Sequence, residues 1–419
     1  MAAGALGLRV AGGAEESGAV AVFTDGAEVR GPVVHLADPA RVAVAKVPLF
    51  AGASPVRWVS IRQAKDAGPA AFVEFDNGDR LPGTVVHHEP EGFEWLGCRR
   101  DLQPMNHPQS RPAVLTVTGI DDATTTAMRP RPHPAGADGR AVRVRRDRVR
   151  RIVWRGAAVQ RYRPRTLVLA DGGEVTFRSL RWTDTGVIAL LEDGSTERHD
   201  FAGLAELHLP SRPDPWNAWF ESLGDASGVV RIETAAGIRA TTPRSRWRAA
   251  GDGRGDALGI QPTWSMEPLF LPVAAVCRLA VFGAAEAPLS WLEPTRATQR
   301  SAFGASWTWR PDRNVQGGLL DASGPPAGWG LGVQARTELA FPLCEGVRAF
   351  RGRVGLDRCV AAGGCIRASL HADAIESRPL WESDVLVGSG TWADCGTVAI
   401  AASGAAPQQL ILVADDAHH

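Results

Sequence analysis

Apolar residues in the first 290 positions fall into short alternating runs closed by tight turns, and one such pattern returns four times. The first copy runs Val20-Ala-Val-Phe23, turns at Asp25-Gly26, continues from Val29 to Val34 and closes at Val56 to Ile61. The second begins Ala71-Phe-Val-Glu-Phe75, turns at Asn77-Gly78-Asp79, runs from Leu81 to Val86 and closes much later, at Val142 to Trp154. The third is the most regular: Thr166 to Leu169, Asp171-Gly172-Gly173, Val175 to Leu180, Gly186 to Leu191, Asp193-Gly194, then Leu204 to Leu209. The fourth is Val229 to Thr234, Gly237, Ile238 to Thr242, with an ending at Val273 to Phe282. Asn-Gly and Asp-Gly supply the positive φ that two-residue hairpins require. Alternation such as Glu174-Val175-Thr176-Phe177 suits a half-buried antiparallel sheet. The pattern predicts an all-β chain of tandem small SH3-like or Sm-like barrels, or else hairpin repeats in one meandering sheet.

The boundaries follow from composition. Residues 1–17 are rich in Ala and Gly and read as a flexible tail. Residues 18–160 form a β-rich region interrupted near 98–140 by a long loop of Pro, Thr, His and Arg. Small β units occupy 161–209 and 225–290, and 243–262 is a further Arg/Gly loop. Within 210–224, Asp214 can cap, Pro215 suits a first helical turn and Gly224 ends it, which predicts one short helix. From 300 to 419 short alternating strands, Gly turns and Trp at loop positions predict a β-sandwich.

Charge and cysteine narrow the partners. The 46 basic and 46 acidic residues cancel, which removes any whole-chain attraction to nucleic acid or an anionic membrane. Thirteen Arg lie between Arg129 and Arg165, but Val142, Val144, Val149 and Ile152 interleave them, so the stretch reads as a solvated strand plus linker rather than a phosphate-tracking stripe. No run approaches the ~20 apolar residues of a membrane span. Met1 to Val10 lacks the basic start and apolar core of a signal peptide, which leaves both a secreted and a cytoplasmic home open. The six Cys contain no CxxC. Cys359 and Cys365 flank the short loop Val-Ala-Ala-Gly-Gly, which makes them a disulfide candidate that would suit an oxidising compartment.

Catalytic signatures are missing. His87-His88, Cys98 and His107 lack metal-ligand spacing and read as surface residues, so no metal site is expected from them. Glu192, Asp193, Glu197 and Asp200 cluster near one hairpin without the facing geometry of a glycosidase pair. No G-x-S-x-G, P-loop or G-x-G-x-x-G stands between a strand and a helix. The expectation is a protein that is not an enzyme.

A series of segments after Ser301 carries a resemblance. They are Trp307-Thr-Trp309-Arg-Pro-Asp312-Arg313, Gly328-Trp329-Gly330-Leu-Gly332, Thr337 to Phe341, Phe350-Arg-Gly-Arg-Val-Gly355-Leu-Asp357, Ala368 to Asp373, Leu380 to Asp384 and Gln409 to Asp415. In order and spacing, 301–416 resembles the NPCBM family of carbohydrate-binding modules. The resemblance implies a jelly-roll-like sandwich, galactose-type sugars as ligand and a structural calcium. A sugar needs an aromatic face for its C–H surface and a few fixed polar groups, and Trp309, Asp312, Arg313 and Trp329 are the candidates. Gln334 stands where the family carries His, and Ala372-Asp373-Ala374 replaces an Asp-Gly hairpin. The chain also stops at His419, ahead of the family's Asp-rich ending. These departures bear on calcium and sugar more than on fold.

The sequence thus points to a non-catalytic glycan-binding protein, secreted or at the cell surface. The alternatives are a structural protein using its barrels and sandwich for self-assembly or other protein contacts, and the accessory part of a glycoside hydrolase.

Overall fold

The computed structural model describes residues 18–51, 55–62, 71–89, 114–118, 142–155, 161–210, 215–224, 228–249, 257–300, 307–318, 320, 322, 328–400 and 407–417. Among them strand dominates, and one α-helix is present, α1 (Pro215–Leu223). The tail at 1–17, most of the loop near 98–140 and the Asp214 cap lie outside the described residues.

Four units of six strands make up the N-terminal part. Unit 1 has β1 (Ala19–Phe23), β2 (Glu28–Gly31), β3 (Val33–Val34), β4 (Ala43–Val44), β5 (Val47–Pro48) and β6 (Val56–Ser60). Unit 2 has β7 (Phe72–Phe75), β8 (Arg80–Pro82), β9 (Thr84–Glu89), β10 (Val114–Thr118), β11 (Val142–Arg145) and β12 (Val149–Val153). Unit 3 has β13 (Thr166–Leu169), β14 (Glu174–Thr176), β15 (Ser179–Thr183), β16 (Gly186–Leu190), β17 (Thr196–Asp200) and β18 (Leu204–His208). Unit 4 has β19 (Val229–Thr234), β20 (Arg239–Pro243), β21 (Arg248–Ala249), β22 (Ala257–Ile260), β23 (Leu269–Pro272) and β24 (Val276–Phe282).

One plan serves all four. The first strand pairs with the second and the last. The middle three form a small antiparallel sheet of their own. The first hairpin is held identically each time: Gly26, Gly78, Gly172 and Gly237 sit at φ +86°, +76°, +90° and +88°. Each donates its N–H to the carbonyl three residues back. An L side chain rarely adopts that φ, which is why every turn keeps its glycine, after Asp or Asn in the first three and after Ala236 in the fourth.

The units do not close into barrels of their own. Their first, second and last strands join one 12-stranded antiparallel sheet in the order β14-β13-β18-β12-β7-β8-β20-β19-β24-β6-β1-β2. Units 2 and 3 meet through their last strands, β12 and β18, and units 4 and 1 through β24 and β6. The physical reason is the last strand's second edge, whose backbone groups find a partner in the neighbouring unit. The two halves then meet through second strands, β8 and β20, by one residue pair, Arg80 opposite Arg239. One core underlies the whole, with Phe75, Leu81, Ile152, Leu167, Leu207, Ile232, Leu258 and Leu279 all fully buried.

Within the Arg-rich run, Val142 to Val153 form β11, β12 and the 3₁₀ turn between them. It is less solvated than its sequence implies. Arg151 pairs with Glu74 at 2.8 Å, Arg148 with Glu221 and Asp76, Arg150 with Glu293 and Arg145 with Asp147. Of these, Arg148 and Arg151 are buried.

The C-terminal part comprises β25 (Arg296–Gln299), β26 (Arg310–Pro311), β27 (Leu331–Gly332), β28 (Thr337–Pro342), β29 (Ala349–Gly355), β30 (Cys365–Ala372), β31 (Trp381–Glu382), β32 (Leu386–Val387), β33 (Trp392–Ala399) and β34 (Gln409–Asp415). Strands β25-β28-β34-β30-β31 form one sheet, with β32 also on β30, while β29 pairs with β33 and β26 with β27. Val398 and Phe350 of the β29–β33 pair pack on Leu370 and Leu410 of the larger sheet. The helix α1 wedges between unit 4 and this part. Trp219 stacks on Trp291 at 5.6 Å, and the Nε1 of Trp216 donates to the Pro342 carbonyl at 3.1 Å.

The half-to-half junction relies on Asp79, at the hairpin turn of unit 2. Its buried carboxylate accepts from Thr241 N–H (2.7 Å), Thr241 Oγ1 (2.6 Å), Trp264 Nε1 (2.7 Å) and Asn77 Nδ2 (3.0 Å). Thr241 and Trp264 belong to unit 4. Asp79→Ala strands these donors and is expected to cost about 3–5 kcal/mol, read as a lower urea midpoint. A loss near zero would show that the halves are held elsewhere.

Candidate functional site

A row of charge crosses the sheet beneath the C-terminal part. Cross-strand register places Arg151 beside Glu74, Glu74 beside Arg80, Arg80 beside Arg239, Arg239 beside Glu233 and Glu233 beside Arg278. Glu74 bonds Arg151 at 2.8 Å and Arg80 at 3.0 Å, and Glu233 bonds Arg239 at 2.9 Å. Burial alone would raise both carboxyls. The arginines prevail, Arg151 and Arg80 on Glu74 and Arg239 and Arg278 on Glu233, and each carboxyl is lowered to about 2.

Three of the four sugar candidates close onto this row. Asp312 follows β26 with φ +56°. Its N–H donates to the Gly330 carbonyl (2.7 Å) and its Oδ1 accepts from Gly330 N–H (3.0 Å), which locks the β26–β27 ribbon. Its Oδ2 lies 3.1 Å from Arg239 Nη2, and the residue is only 3% exposed. Trp329 packs edge-on against Phe282 with ring centroids 4.7 Å apart, with the Arg57 guanidinium 6.0 Å from its own centroid. Arg313 faces the same charges. Burial pushes its pKa down, partly offset by Glu233, and its Nη1 has no hydrogen-bond partner. What space remains is a cavity of about 10 Å³ lined by Arg231, Glu233, Arg278, Asp312 and Trp329 among others, room for a single water.

Trp309 stands apart from that seam's polar centre. It is half-buried against the aromatic cluster around Trp219 and Trp291, and its N–H donates to Gln299 Oε1 at 3.3 Å. Next to it Trp307 is 49% exposed. Gln299 Nε2 donates to the Trp307 carbonyl at 3.0 Å, and Trp307 N–H donates to Gln334 Oε1 at 3.1 Å. Gln334 Nε2 is left without a hydrogen-bond partner. Trp307 was quoted in the sequence only as part of a motif. The signal that sets it apart from Trp309 is exposure, which one sequence does not display.

Cys359 and Cys365 are unbridged thiols in the structure. Cys365, on β30, directs its Sγ to the Asp416 carbonyl at 3.2 Å. Cys359 is exposed in a 3₁₀ turn capped by Asp357, whose carboxylate raises the thiol pKa. Among the described residues no three His, Cys, Asp or Glu side chains gather as a metal site, and Asp416 is paired with Arg336. Among the described residues the calcium implied by the resemblance therefore finds no carboxylate cage. Asp193 caps its own hairpin through Ser195. Cys98, His107 and the side chains of His87 and His88 lie outside the described residues.

The charge row makes a pH prediction. With carboxyls at about 2 in the fold against an ordinary 4.5, Glu74 and Glu233 contribute stability that is full above pH 4.5 and lost as pH falls towards 2. Glu74→Gln is expected to lower the thermal midpoint strongly at pH 7, with the gap to wild type closing between pH 4.5 and 2. A pH-independent gap would place the effect in packing.

No curated protein matches the chain. The family model described as NPCBM/NEW2 domain matches residues 285–419, which identifies the C-terminal region, from the segment just before β25 onward, as an NPCBM domain.

Proposed function

We propose that the protein is a non-catalytic glycan-binding protein, working at or outside the cell surface, in which the NPCBM domain contacts sugar and the 12-stranded sheet is its rigid mount. The family match over 285–419 carries this reading. In our reading each N-terminal unit follows the strand plan of an SH3-like or Sm-like barrel opened to share its edges, and the C-terminal region that of a jelly-roll-like sandwich.

Because Asp312, Arg313 and Trp329 face the charge row, we assign the sugar contact to the neighbouring rim. Trp307 offers a stacking face, and Gln299 and Gln334 are amides already fixed by its backbone. An exposed aromatic surface held in place by these amides suits the apolar face of a galactose-type ring. Assembly through the sheet edges is the less favoured reading. The two outer strands, β2 and β14, carry Glu28 and Glu174 at the hairpin position that Arg80 and Arg239 occupy in the inner pair. Edge-to-edge pairing of copies would set Glu against Glu.

A galactose-containing array followed by calorimetry tests the reading on the full chain. Binding is expected in the range of about 10⁻⁴ to 10⁻³ M, since one monosaccharide buries little area. Trp307→Ala should abolish it with the thermal midpoint nearly unchanged. No binding to any glycan, or full binding by the variant, would reject the assignment.

A further inference from the structure

The outer face of the β29–β33 pair is unused by the seam and by the Trp307 rim. Register places Gly355 opposite Trp392, Arg353 opposite Asp394 and Arg351 opposite Thr397. Trp392, Arg351, Arg353, Asp394 and Thr397 are exposed, or nearly so, while the alternate residues Phe350 and Val398 face the core. Trp392 is 40% exposed. Its cross-strand neighbour is a glycine, and a Cβ built there would lie only 3.3 Å from the Trp392 Cβ. The same Cβ would lie 3.1 Å from that of Ala322, so the glycine makes room for Ala322 beside the indole.

Polar groups continue the shelf. Arg351 Nε donates to Thr397 Oγ1 at 2.7 Å, which fixes the guanidinium on the face. Asp394 is occupied by its own turn, where Oδ1 accepts from Gly396 N–H at 2.7 Å. The face carries two arginines, Arg351 and Arg353, and one carboxylate, Asp394. Successive same-face positions are roughly 7 Å apart along a strand, so Trp392 and the two arginines form an extended line rather than a pocket.

We propose that this face binds an acidic oligosaccharide laid along the strand pair, with one ring stacked on Trp392 and a carboxylate or sulfate held further along the pair by Arg351. Guanidinium forks match both anions in geometry, and an aromatic shelf matches the C–H face of a pyranose. The proposal takes from the preceding section only that the domain binds glycan. It uses a second surface and a different ligand class.

Calorimetry on the full chain with trigalacturonate, its fully methyl-esterified form and a sulfated galactan tetrasaccharide tests it. At least one acidic probe is expected to bind at least about tenfold more tightly than the ester, with affinity falling on addition of salt as the charges are screened. The two acidic probes separate carboxylate from sulfate recognition. Arg351→Gln and Trp392→Ala should each lose about tenfold or more, with unchanged thermal midpoints, while Trp307→Ala binds as wild type. Should Trp392→Ala lower the midpoint, the exposed Arg351→Gln carries the decision. Equal binding of acid and ester, or wild-type affinity in Arg351→Gln, would overturn the proposal. So would failure of both acidic probes; if galactose still binds at Trp307 in that case, the earlier reading stands and only this one falls.

Discussion

Two arginines facing each other across a single residue pair are the constraint on which this molecule turns. Among the described residues, Arg80 and Arg239 are the one pair through which the halves of the 12-stranded sheet share a ladder, and Val144 opposite Ser265 bridges the halves outside it. Like charges directly opposite on a sheet destabilise it, and burial worsens the repulsion. The contact survives because carboxylates surround it. Glu74 and Glu233 reach each arginine from the adjacent strand of its own unit, and Asp312 reaches Arg239 from the NPCBM domain. Asp79, at the hairpin turn just before Arg80, adds a fourth carboxylate, held by Thr241 and Trp264 of the other half.

This solution ties the C-terminal domain to the sheet. The ribbon that carries Asp312 is also the ribbon that carries Trp329, so seating the carboxylate on Arg239 seats the indole on Phe282. Removing one member of such a buried group leaves a charge uncompensated, which is far costlier than losing a surface pair. The domain and its mount therefore behave as one body at this seam. The aromatic face with Asp that the resemblance offers for sugar is seated here against the sheet, Asp312 on Arg239 and Trp329 on Phe282.

Repetition and asymmetry work together in the N-terminal part. All four first hairpins have the same turn, yet their paired side chains differ: Glu74 with Arg80 and Glu233 with Arg239 inside, Val22 with Glu28 and Val168 with Glu174 outside. The inner pairs build a junction that needs carboxylates from elsewhere. The outer pairs end the sheet in local ion pairs, Glu28 with Arg30 and Glu174 with Arg163. One strand plan thus yields both an internal joint and a terminus.

The sequence by itself determined the all-β character, the four returns of the unit and the short Pro215 helix, because turn glycines, period-two alternation and capping residues act over a few neighbouring positions. It also carried enough of Trp307 to Asp415 to mark the C-terminal domain. It could not show that the last strands pair between units, since β12 with β18 and β24 with β6 are contacts between segments far apart in the chain. Nor could it show where Asp312 and Trp329 would point. A buried ion pair and a binding site ask for the same residue types, and only the partner differs. For Asp312 that partner is Arg239, 73 positions earlier in the chain, and the tertiary structure alone brings the two to 3.1 Å.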